Sequence, residues 1–229
     1  MIAHDWERVR EELDGFGCAV IPGLLSPAEC DGYAQSYARP ELFRSRVVME
    51  RFQFGRGEYQ YFAYPLPPGL AALRGALYEP LARIANGWQR ALGETGRFPP
   101  THAEYLARCH AAGQTRPTPL LLQYGAGDYN CLHQDLYGEL VFPLQVAVLL
   151  SRPGADFTGG EFVLTEQRPR MQSRVEVVPL AQGDAVIFPV SQRPVGGTRG
   201  PYRVNMRHGV SRVRSGTRHT LGIIFHDAA

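Results

Sequence analysis

The chain has 229 residues, of which 44% are hydrophobic and 20% are charged. This length and apolar content suffice for one large domain with a buried core, and they exclude a disordered chain. The sequence contains no lysine, so all 24 of its Lys+Arg residues are arginine. Schiff-base lysine chemistry and a P-loop lysine are therefore excluded, and an anion held by a charged side chain must be held by arginine.

Charge is distributed unevenly along the chain. Residues 1–167 carry 14 arginines and 19 carboxylates, whereas residues 168–218 carry 10 arginines and only two carboxylates. Such a basic block indicates either an anionic partner, for example nucleic acid, or an arginine-rich solvated surface. Both interpretations stay open on charge alone.

Several features predict a cytoplasmic protein with no membrane partner. No apolar run approaches the roughly 18 residues of a membrane-spanning helix, and the first 14 residues are too charged for a secretion signal. The four cysteines show no metal-binding spacing and are interpreted as reduced thiols. They are Cys18, Cys30, Cys109 and Cys131.

Residues 1–117 are predicted to form a helix-rich region that packs on the rest of the chain. Apolar residues recur at helical spacing over 6–16, and Ser26 with Glu29 has the pattern of a capping box at the start of a second helix. Strands are predicted at 46–54 and 59–64, and further helices at 70–92 and 101–110.

Residues 118–229 are predicted to form a β-rich core, the two regions making one compact domain. Short apolar runs separated by turn residues are typical of an antiparallel sandwich or jelly roll. The predicted strands are 120–124, 129–133, 141–150, 161–165, 174–179, 185–188, 204–209 and 220–225. The irregular stretch 191–202 is predicted to be a long functional loop.

Three residues of this core have side chains that bind divalent metals. His133 and Asp135 are two residues apart in an extended segment, so both can face one ion. His208 lies near the end of another predicted strand. Two imidazole nitrogens and one carboxylate can occupy one face of an octahedral Fe(II) and leave three positions for other ligands.

A candidate anion-binding residue follows the last of these ligands. Arg218 lies ten residues after His208, and Thr220 lies two residues further on the same face of the next strand. Guanidinium groups bind carboxylates through paired hydrogen bonds. The pattern therefore predicts a carboxylate clamp close to the metal.

With these residues, the sequence resembles the Fe(II)- and 2-oxoglutarate-dependent dioxygenases over about 118–227. The resemblance extends to connecting segments that include Phe157–Phe162, Gly183–Phe188 and Leu221–Phe225. It implies a double-stranded β-helix (jelly roll) supported by N-terminal helices. It also implies an oxidoreductase that uses Fe(II), 2-oxoglutarate and O2 to oxidise a C–H bond of its substrate, releasing succinate and CO2. The implied iron ligands are His133, Asp135 and His208, and the implied 2-oxoglutarate-binding residues are Arg218, Thr220 and Tyr124.

Part of the sequence favours nucleic acid as the substrate. The segment from Tyr124 to Asp135 resembles AlkB-type demethylases of alkylated DNA and RNA. The whole chain resembles a bacterial group of oxygenases described as acting on damaged DNA. Loops before His208 are expected to roof the active site, and their arginines are candidates for phosphate contacts. These candidates are Arg193, Arg199, Arg203 and Arg207. The favoured reaction is therefore demethylation or hydroxylation of a nucleic-acid base, with DNA repair as a possible role.

Other features favour a protein, peptide or amino-acid substrate. AlkB-type enzymes have Asn where this chain has Leu122, and their arginine lies further beyond the distal histidine. The ten-residue gap looks more like prolyl-hydroxylase-type enzymes. An exposed stacking pair of aromatic residues would support base recognition. Phe52 and Phe54, however, are interpreted, together with Tyr59 and Tyr61, as alternating strand residues.

Two further alternatives have different chemistry. A basic nucleic-acid-binding module without catalysis would tolerate the loss of His133. A cupin-type metalloenzyme normally has an HxH pair and a following Glu, which this chain lacks. Three other histidines, His110, His219 and His226, are expected to be structural or surface residues.

Overall fold

The computed structural model describes residues 4–198 and 200–229. The helices in this part of the chain are α1 (Trp6–Phe16), α2 (Pro27–Ser36), α3 (Pro68–Ala91) and α4 (His102–Ala111). The strands are β1 (Ala19–Ile21), β2 (Phe43–Val48), β3 (Gly55–Arg56), β4 (Glu58–Phe62), β5 (Leu120–Tyr124), β6 (Tyr129–His133), β7 (Leu144–Leu149), β8 (Phe157–Gly159), β9 (Phe162–Gln167), β10 (Arg174–Val178), β11 (Ala185–Pro189), β12 (Gln192–Val195), β13 (Tyr202–Val210), β14 (Val213–Gly216) and β15 (Arg218–Ile223). Short 3-10 turns lie at Pro40–Leu42 and Met49–Phe52.

The first helices begin and end at residues suited to capping. Asp5 accepts a hydrogen bond from the backbone N–H of Arg8 at the start of α1, and Gly17 ends this helix with a φ of 84°. Ser26 and Glu29 form the predicted reciprocal capping box at the start of α2. These bonds satisfy backbone groups that a helix end leaves unpaired.

Two antiparallel sheets form the predicted jelly roll. The larger sheet has the order β1-β11-β7-β15-β5-β4-β2, and the smaller has β10-β9-β13-β6-β3 with β12 also paired to β13. Strands β8 and β14 form a separate pair. Because β1, β2 and β4 belong to the larger sheet, residues 1–117 contribute strands to the sheet as well as the four helices.

The larger sheet is buried on both faces. Val146 and Val148 of β7 belong to the core that contains Leu70 of α3, so the helices cover one face. Ala147, between them, packs in a cluster with Phe162 of β9, so the smaller sheet covers the other face. Alternation of side chains along β7 explains this division. The functional cavity lies between the two sheets.

The prediction of a strand over 46–54 is wrong in its second half. Strand β2 ends before the 3-10 turn Met49–Phe52. Gln53 then adopts a left-handed φ of 60°, and the N–H of Phe54 donates to the carbonyl of Met49 at 3.2 Å. A left-handed residue interrupts an extended strand, so Phe52 and Phe54 leave the sheet.

Other predictions of this kind have mixed outcomes. Tyr59 and Tyr61 lie in β4, as expected. The stretch 191–202 is not wholly irregular, since it contains β12, which pairs with β13 in antiparallel register.

The four cysteines are all free thiols. Among the helices that the structure describes, none combines the length and the apolar character that crossing a membrane requires.

Candidate active site

The two predicted histidines lie opposite each other on neighbouring strands. His133 ends β6, and its Cα partner across the antiparallel pair is His208 of β13. Their ring centroids are 4.2 Å apart. Asp135 lies between them, with one carboxylate oxygen 3.4 Å from Nε2 of His133 and the other 3.3 Å from Nε2 of His208. One ligand atom from each residue of this triad lies within 4.8 Å of the others, so the three can hold one metal ion.

Hydrogen bonding of His133 involves Nδ1 and leaves Nε2 available for a metal. Nδ1 of His133 lies 2.8 Å from the carbonyl oxygen of Cys131, which can only accept. Nδ1 therefore carries a proton, and Nε2 is the ring nitrogen that faces Asp135 and would bind a metal. Nδ1 of His208 is buried and has no hydrogen-bond partner among the residues that the structure describes.

The pKa shifts within the triad come from burial and from the contacts among its three residues. Burial by itself would raise the pKa of Asp135, but His208 and His133 hold this pKa well below its usual value. Burial lowers the pKa of His208 and so favours its neutral form. Burial also acts against the charged form of His133, but its contact with Asp135 outweighs burial and raises the pKa. An ionised carboxylate with imidazole nitrogens is a donor set suited to Fe(II).

Two further polar residues contact the triad, and neither is among the residues that the sequence predicts. The hydroxyl of Tyr137 donates to Oδ1 of Asp135 at 2.8 Å. Nε2 of Gln145 lies 3.4 Å from Nε2 of His208. Gln145 has a sequence signal, because it is the single polar residue in the otherwise apolar strand β7. Tyr137 is adjacent to the HQD motif but has no comparable signal.

The predicted anion-binding residues form the second part of the site. Arg218 of β15 is the Cα partner of Tyr124 on β5, so both side chains lie on one face of the larger sheet. Nη1 of Arg218 donates to the hydroxyl of Thr220. Arg218 is only 2% exposed. Among the residues that the structure describes, neither its Nε nor the buried hydroxyl of Tyr124 has a hydrogen-bond partner. Burial lowers the pKa of Arg218 to about 10.

This arginine is a buried charge without an ion-pair partner. Within residues 4–198 and 200–229, no carboxylate lies within 4.0 Å of Arg218, and the charge of Glu161 acts on it only from further away. A buried, unpaired charge is costly, so it is usually retained to bind an anion. The residues present therefore fit the distal carboxylate of a dicarboxylic acid such as 2-oxoglutarate.

The triad and the arginine share one cavity of about 350 Å³. Besides the residues above, its walls are mainly apolar and include Leu120, Leu122, Phe162, Phe188 and Ile224. A small cosubstrate can thus contact the triad and Arg218 together while the walls exclude bulk water.

Three of the arginines proposed as phosphate contacts, Arg193, Arg203 and Arg207, do not line this cavity. Arg193 is 1% exposed and donates to Glu166 and to the backbone carbonyl of Asp14, so it joins β12 to β9 and α1. This corrects its proposed role, because a buried paired guanidinium is not available to a phosphate.

The other arginines of that group also differ from the expectation. Arg203 pairs with Glu94. Arg207 is exposed, and because it precedes the inward-facing His208 on β13 it lies on the outer face of the smaller sheet. Arg199 lies outside the described residues.

The remaining histidines do not line the cavity either. Nε2 of His110 lies 2.8 Å from Oδ2 of Asp227, and Nδ1 of the buried His226 accepts a hydrogen bond from the N–H of Phe142. The ring of His219 contacts that of Tyr37.

Solved structures of low sequence identity share this fold. A Pseudomonas putida prolyl-4-hydroxylase is 12% identical, with a TM-score of 0.57 over 98% of this chain and all of that one. A 2OG-Fe(II) oxygenase family oxidoreductase from Burkholderia pseudomallei is 16% identical, with a TM-score of 0.54 over 99% of this chain and 93% of that one. A Trichoplax adhaerens prolyl hydroxylase, solved with a hypoxia inducible factor peptide fragment, is 14% identical, with a TM-score of 0.55 over 97% of this chain and 89% of that one.

The jelly roll, with its triad and buried arginine, defines the class of Fe(II)- and 2-oxoglutarate-dependent oxygenases, oxidoreductases that use Fe(II), 2-oxoglutarate and O2. Within this class, the chain belongs to the Oxygenase-NA family, described as "Oxygenase, catalysing oxidative methylation of damaged DNA", whose model matches residues 57–228. Two Mycobacterium tuberculosis proteins are each 52% identical over 168 residues, which is 73% of this chain and 72% of theirs. They are "Uncharacterized protein MT2286" of strain CDC 1551 / Oshkosh and "Uncharacterized protein Rv2227" of strain ATCC 25618 / H37Rv.

Proposed function

We propose that the His–Asp–His triad described above binds Fe(II) and that Arg218, with Thr220 and Tyr124, binds 2-oxoglutarate. The chain then oxidises a C–H bond of its substrate and releases succinate and CO2. The observation that carries this proposal is a buried arginine without a carboxylate partner in the same cavity as the triad. The bound iron and cosubstrate supply the oxidising power, and the protein supplies binding and orientation.

The side chains around the cavity have three tasks in this proposal. Arg218 fixes one end of the cosubstrate, and the unpaired hydroxyl of Tyr124 can donate to the same carboxylate. Tyr137 restricts the rotation of the Asp135 carboxylate by donating to one of its oxygens. The apolar walls exclude water, which strengthens each of these polar contacts.

Binding of metal and cosubstrate tests this assignment directly. We expect the wild-type protein to bind one Fe(II) per chain and to convert 2-oxoglutarate slowly to succinate without a substrate. Asp135→Ala removes the only anionic ligand and should abolish both, whereas the exposed Asp31→Ala should change neither. A folded Asp135→Ala protein that binds Fe(II) as tightly as the wild type would contradict the assignment.

For the substrate, we propose a nucleic-acid base that undergoes oxidative demethylation or hydroxylation. The family description, which names damaged DNA, supports this choice. Mass spectrometry of methylated oligonucleotides incubated with the enzyme, Fe(II) and 2-oxoglutarate tests it. We expect a base that gains one oxygen atom or loses its methyl group, and an unchanged oligonucleotide pool alongside active uncoupled turnover would reject it.

A protein or peptide is the second candidate. The cavity is largely apolar, and Arg193, Arg203 and Arg207 lie outside its lining, which removes part of the charge argument for nucleic acid. The related folds include prolyl hydroxylases, one of them solved with a peptide. A peptide pool analysed by the same mass-spectrometric assay would support this candidate if it gained one oxygen atom per modified residue.

A further inference from the structure

An exposed pair of stacked aromatic rings lies beside the cavity. Phe52 is 56% exposed and Phe54 is 49% exposed. Their ring centroids are 5.5 Å apart and the ring planes differ by 20°. Phe54, together with Gln53, also lines the cavity that contains the triad. Large apolar side chains that are exposed next to each other at the rim of a cavity indicate a binding surface.

The backbone holds this pair in a fixed position relative to the triad. The side chain of Met49, at the start of the turn, is fully buried. The N–H of Cys131 donates to the carbonyl of Phe54 at 2.9 Å, which ties the segment to β6. Gly55 has a φ of 131°, and a Cβ there would lie 2.3 Å from the carbonyl oxygen of Tyr129. Since β6 ends at His133, the aromatic pair and the first metal ligand belong to one rigid unit.

Another exposed apolar side chain lines the same cavity. Leu132, which is 45% exposed, is part of the lining together with Phe54. Exposed aromatic and apolar surface is therefore present at the cavity that contains the triad.

Arginines flank the aromatic pair in the sequence. Arg51 directly precedes Phe52, and Arg56 follows Gly55, so residues 51–56 contain two arginines and no carboxylate. Arg56 lies 4.0 Å from Glu50 and 3.9 Å from Asp128. Arg51 is exposed and makes no ion pair with the part of the chain that the structure describes.

We propose that residues 51–56 bind single-stranded nucleic acid at the entrance of the active site. The Phe52–Phe54 pair stacks on a base next to the one being oxidised, and Arg51 contacts the adjoining phosphate. Aromatic rings combined with cationic side chains are the usual means of binding single strands without sequence preference. This inference depends on the nucleic-acid substrate proposed above.

Leucine substitutions distinguish stacking from simple apolar contact. In the double variant Phe52→Leu/Phe54→Leu the rim stays apolar but loses its flat rings. We expect its Kd for a fluorescein-labelled, mixed-sequence single-stranded DNA, measured by fluorescence anisotropy, to rise roughly fivefold or more. Phe16→Leu is the matched control, because Phe16 is 57% exposed on α1, and it should bind as the wild type does.

Salt dependence tests the phosphate contact separately. Arg51→Gln should reduce the slope of log K against log salt by about 0.7, the value for one phosphate on a single strand. Arg207→Gln, which alters an exposed arginine on the outer face of the smaller sheet, should leave the slope unchanged. An Arg51→Gln protein with the wild-type slope would remove Arg51 from the proposal.

The outcomes separate this inference from the proposed substrate. If the wild type binds single-stranded DNA but the double leucine variant binds within twofold of it, the aromatic site is overturned and the nucleic-acid substrate is unaffected. If the wild type shows no salt-sensitive binding at low ionic strength, both are overturned. A variant counts as folded if it unfolds at the same temperature as the wild type. If the double variant does not meet this condition, the single variant Phe52→Leu takes its place.

Discussion

Arg218 is expected to bind its ligand at the expense of the stability of the unliganded protein. Its guanidinium is buried without a carboxylate partner, and burial lowers its pKa from 12.5 to about 10. The folded state therefore disfavours the charged arginine relative to the unfolded chain. The penalty is present in full at every pH below 10, and it is relieved only as the pH rises from there towards 12.5. We therefore expect Arg218→Met, which replaces the guanidinium with a shorter, uncharged and flexible side chain, to stabilise the protein without cosubstrate.

The magnitude follows from the pKa and from the contact that is lost. A pKa lowered from 12.5 to about 10 corresponds to about 3 kcal/mol at neutral pH. The variant also loses the hydrogen bond from Arg218 to Thr220, which contributes about 1 kcal/mol. The net gain of about 2 kcal/mol should raise the Tm by roughly 4–8 °C for a chain of this size.

Differential scanning fluorimetry without 2-oxoglutarate measures the gain in stability, and the same measurement with 2-oxoglutarate measures the loss of binding. The wild type should unfold at a higher temperature when 2-oxoglutarate and Mn(II) are present. Arg218→Met should lose the share of this Tm increase that is due to the cosubstrate. Loss of a charge-assisted hydrogen bond should raise the Kd for 2-oxoglutarate roughly 10- to 150-fold. The exposed Arg212→Met is the control and should leave Tm and Kd unchanged. A folded Arg218→Met protein with a lower Tm than the wild type would refute the burial argument, and an unchanged Kd would refute the carboxylate assignment.

Three other predictions concern the residues around the site. Tyr137→Phe removes the hydrogen bond to Asp135 and should raise the Kd for Mn(II), measured by calorimetry, by roughly tenfold; an unchanged Kd would show that the tyrosine does not orient the ligand. Arg193→Ala should lower the free energy of unfolding in urea by about 3 kcal/mol, because it deprives the buried Glu166 of a partner, and a loss below about 1 kcal/mol would contradict this. Burial lowers the pKa of both His102 and His226 to about 4, so the unfolded state binds more protons than the folded state below about pH 6.5. The free energy of unfolding should therefore fall between pH 6.5 and 4, and His226 should account for up to about 3 kcal/mol of this loss. His226→Gln should reduce the pH dependence by that share.

The candidate metal-binding residues could be found from the sequence because their chemistry depends on spacing. His133 and Asp135 are two residues apart at the end of a strand, and this spacing alone allows both to face one ion. The pairing of His208 with His133 is a matter of strand register, which no local pattern contains. The sequence therefore offers His208 as a residue of suitable chemistry but does not show that it lies opposite His133.

The arginines proposed as phosphate contacts could not be assigned in the same way. A high density of arginine in the sequence does not specify on which face of a sheet their side chains lie. Arg207 and His208 are neighbours in sequence, yet strand alternation places their side chains on opposite faces of β13. Arg193 occupies an inward position on the short strand β12, where Glu166 neutralises it. A basic block in a β-rich chain therefore predicts total charge and not a binding surface.

The aromatic pair was misassigned for a related reason. Phe52, Phe54 and Tyr59 fit an alternating pattern, but the pattern carries no information about where a strand stops. The strand stops because β6 provides the partners of the Phe54 carbonyl and of Gly55, which is a tertiary contact between distant segments. Near the cavity, this tertiary contact outweighs the local preference of the sequence for a strand. Departures of this kind are expected at functional sites.

The N-terminal helices also hold the segment that follows the strand of the proposed cosubstrate-binding residue. Arg218 lies on β15, and the chain continues directly from this strand to Asp227, whose carboxylate accepts a hydrogen bond from Arg74 of α3 at 2.9 Å. Nε of Arg74 donates to the carbonyl of Ile224 at 2.8 Å, and the hydroxyl of the exposed Tyr64 donates to Asp227. Because Arg74 and Asp227 are buried and paired with each other, displacing α3 would leave an uncompensated buried carboxylate just after the strand. The helical layer therefore fixes the segment in which β15 ends.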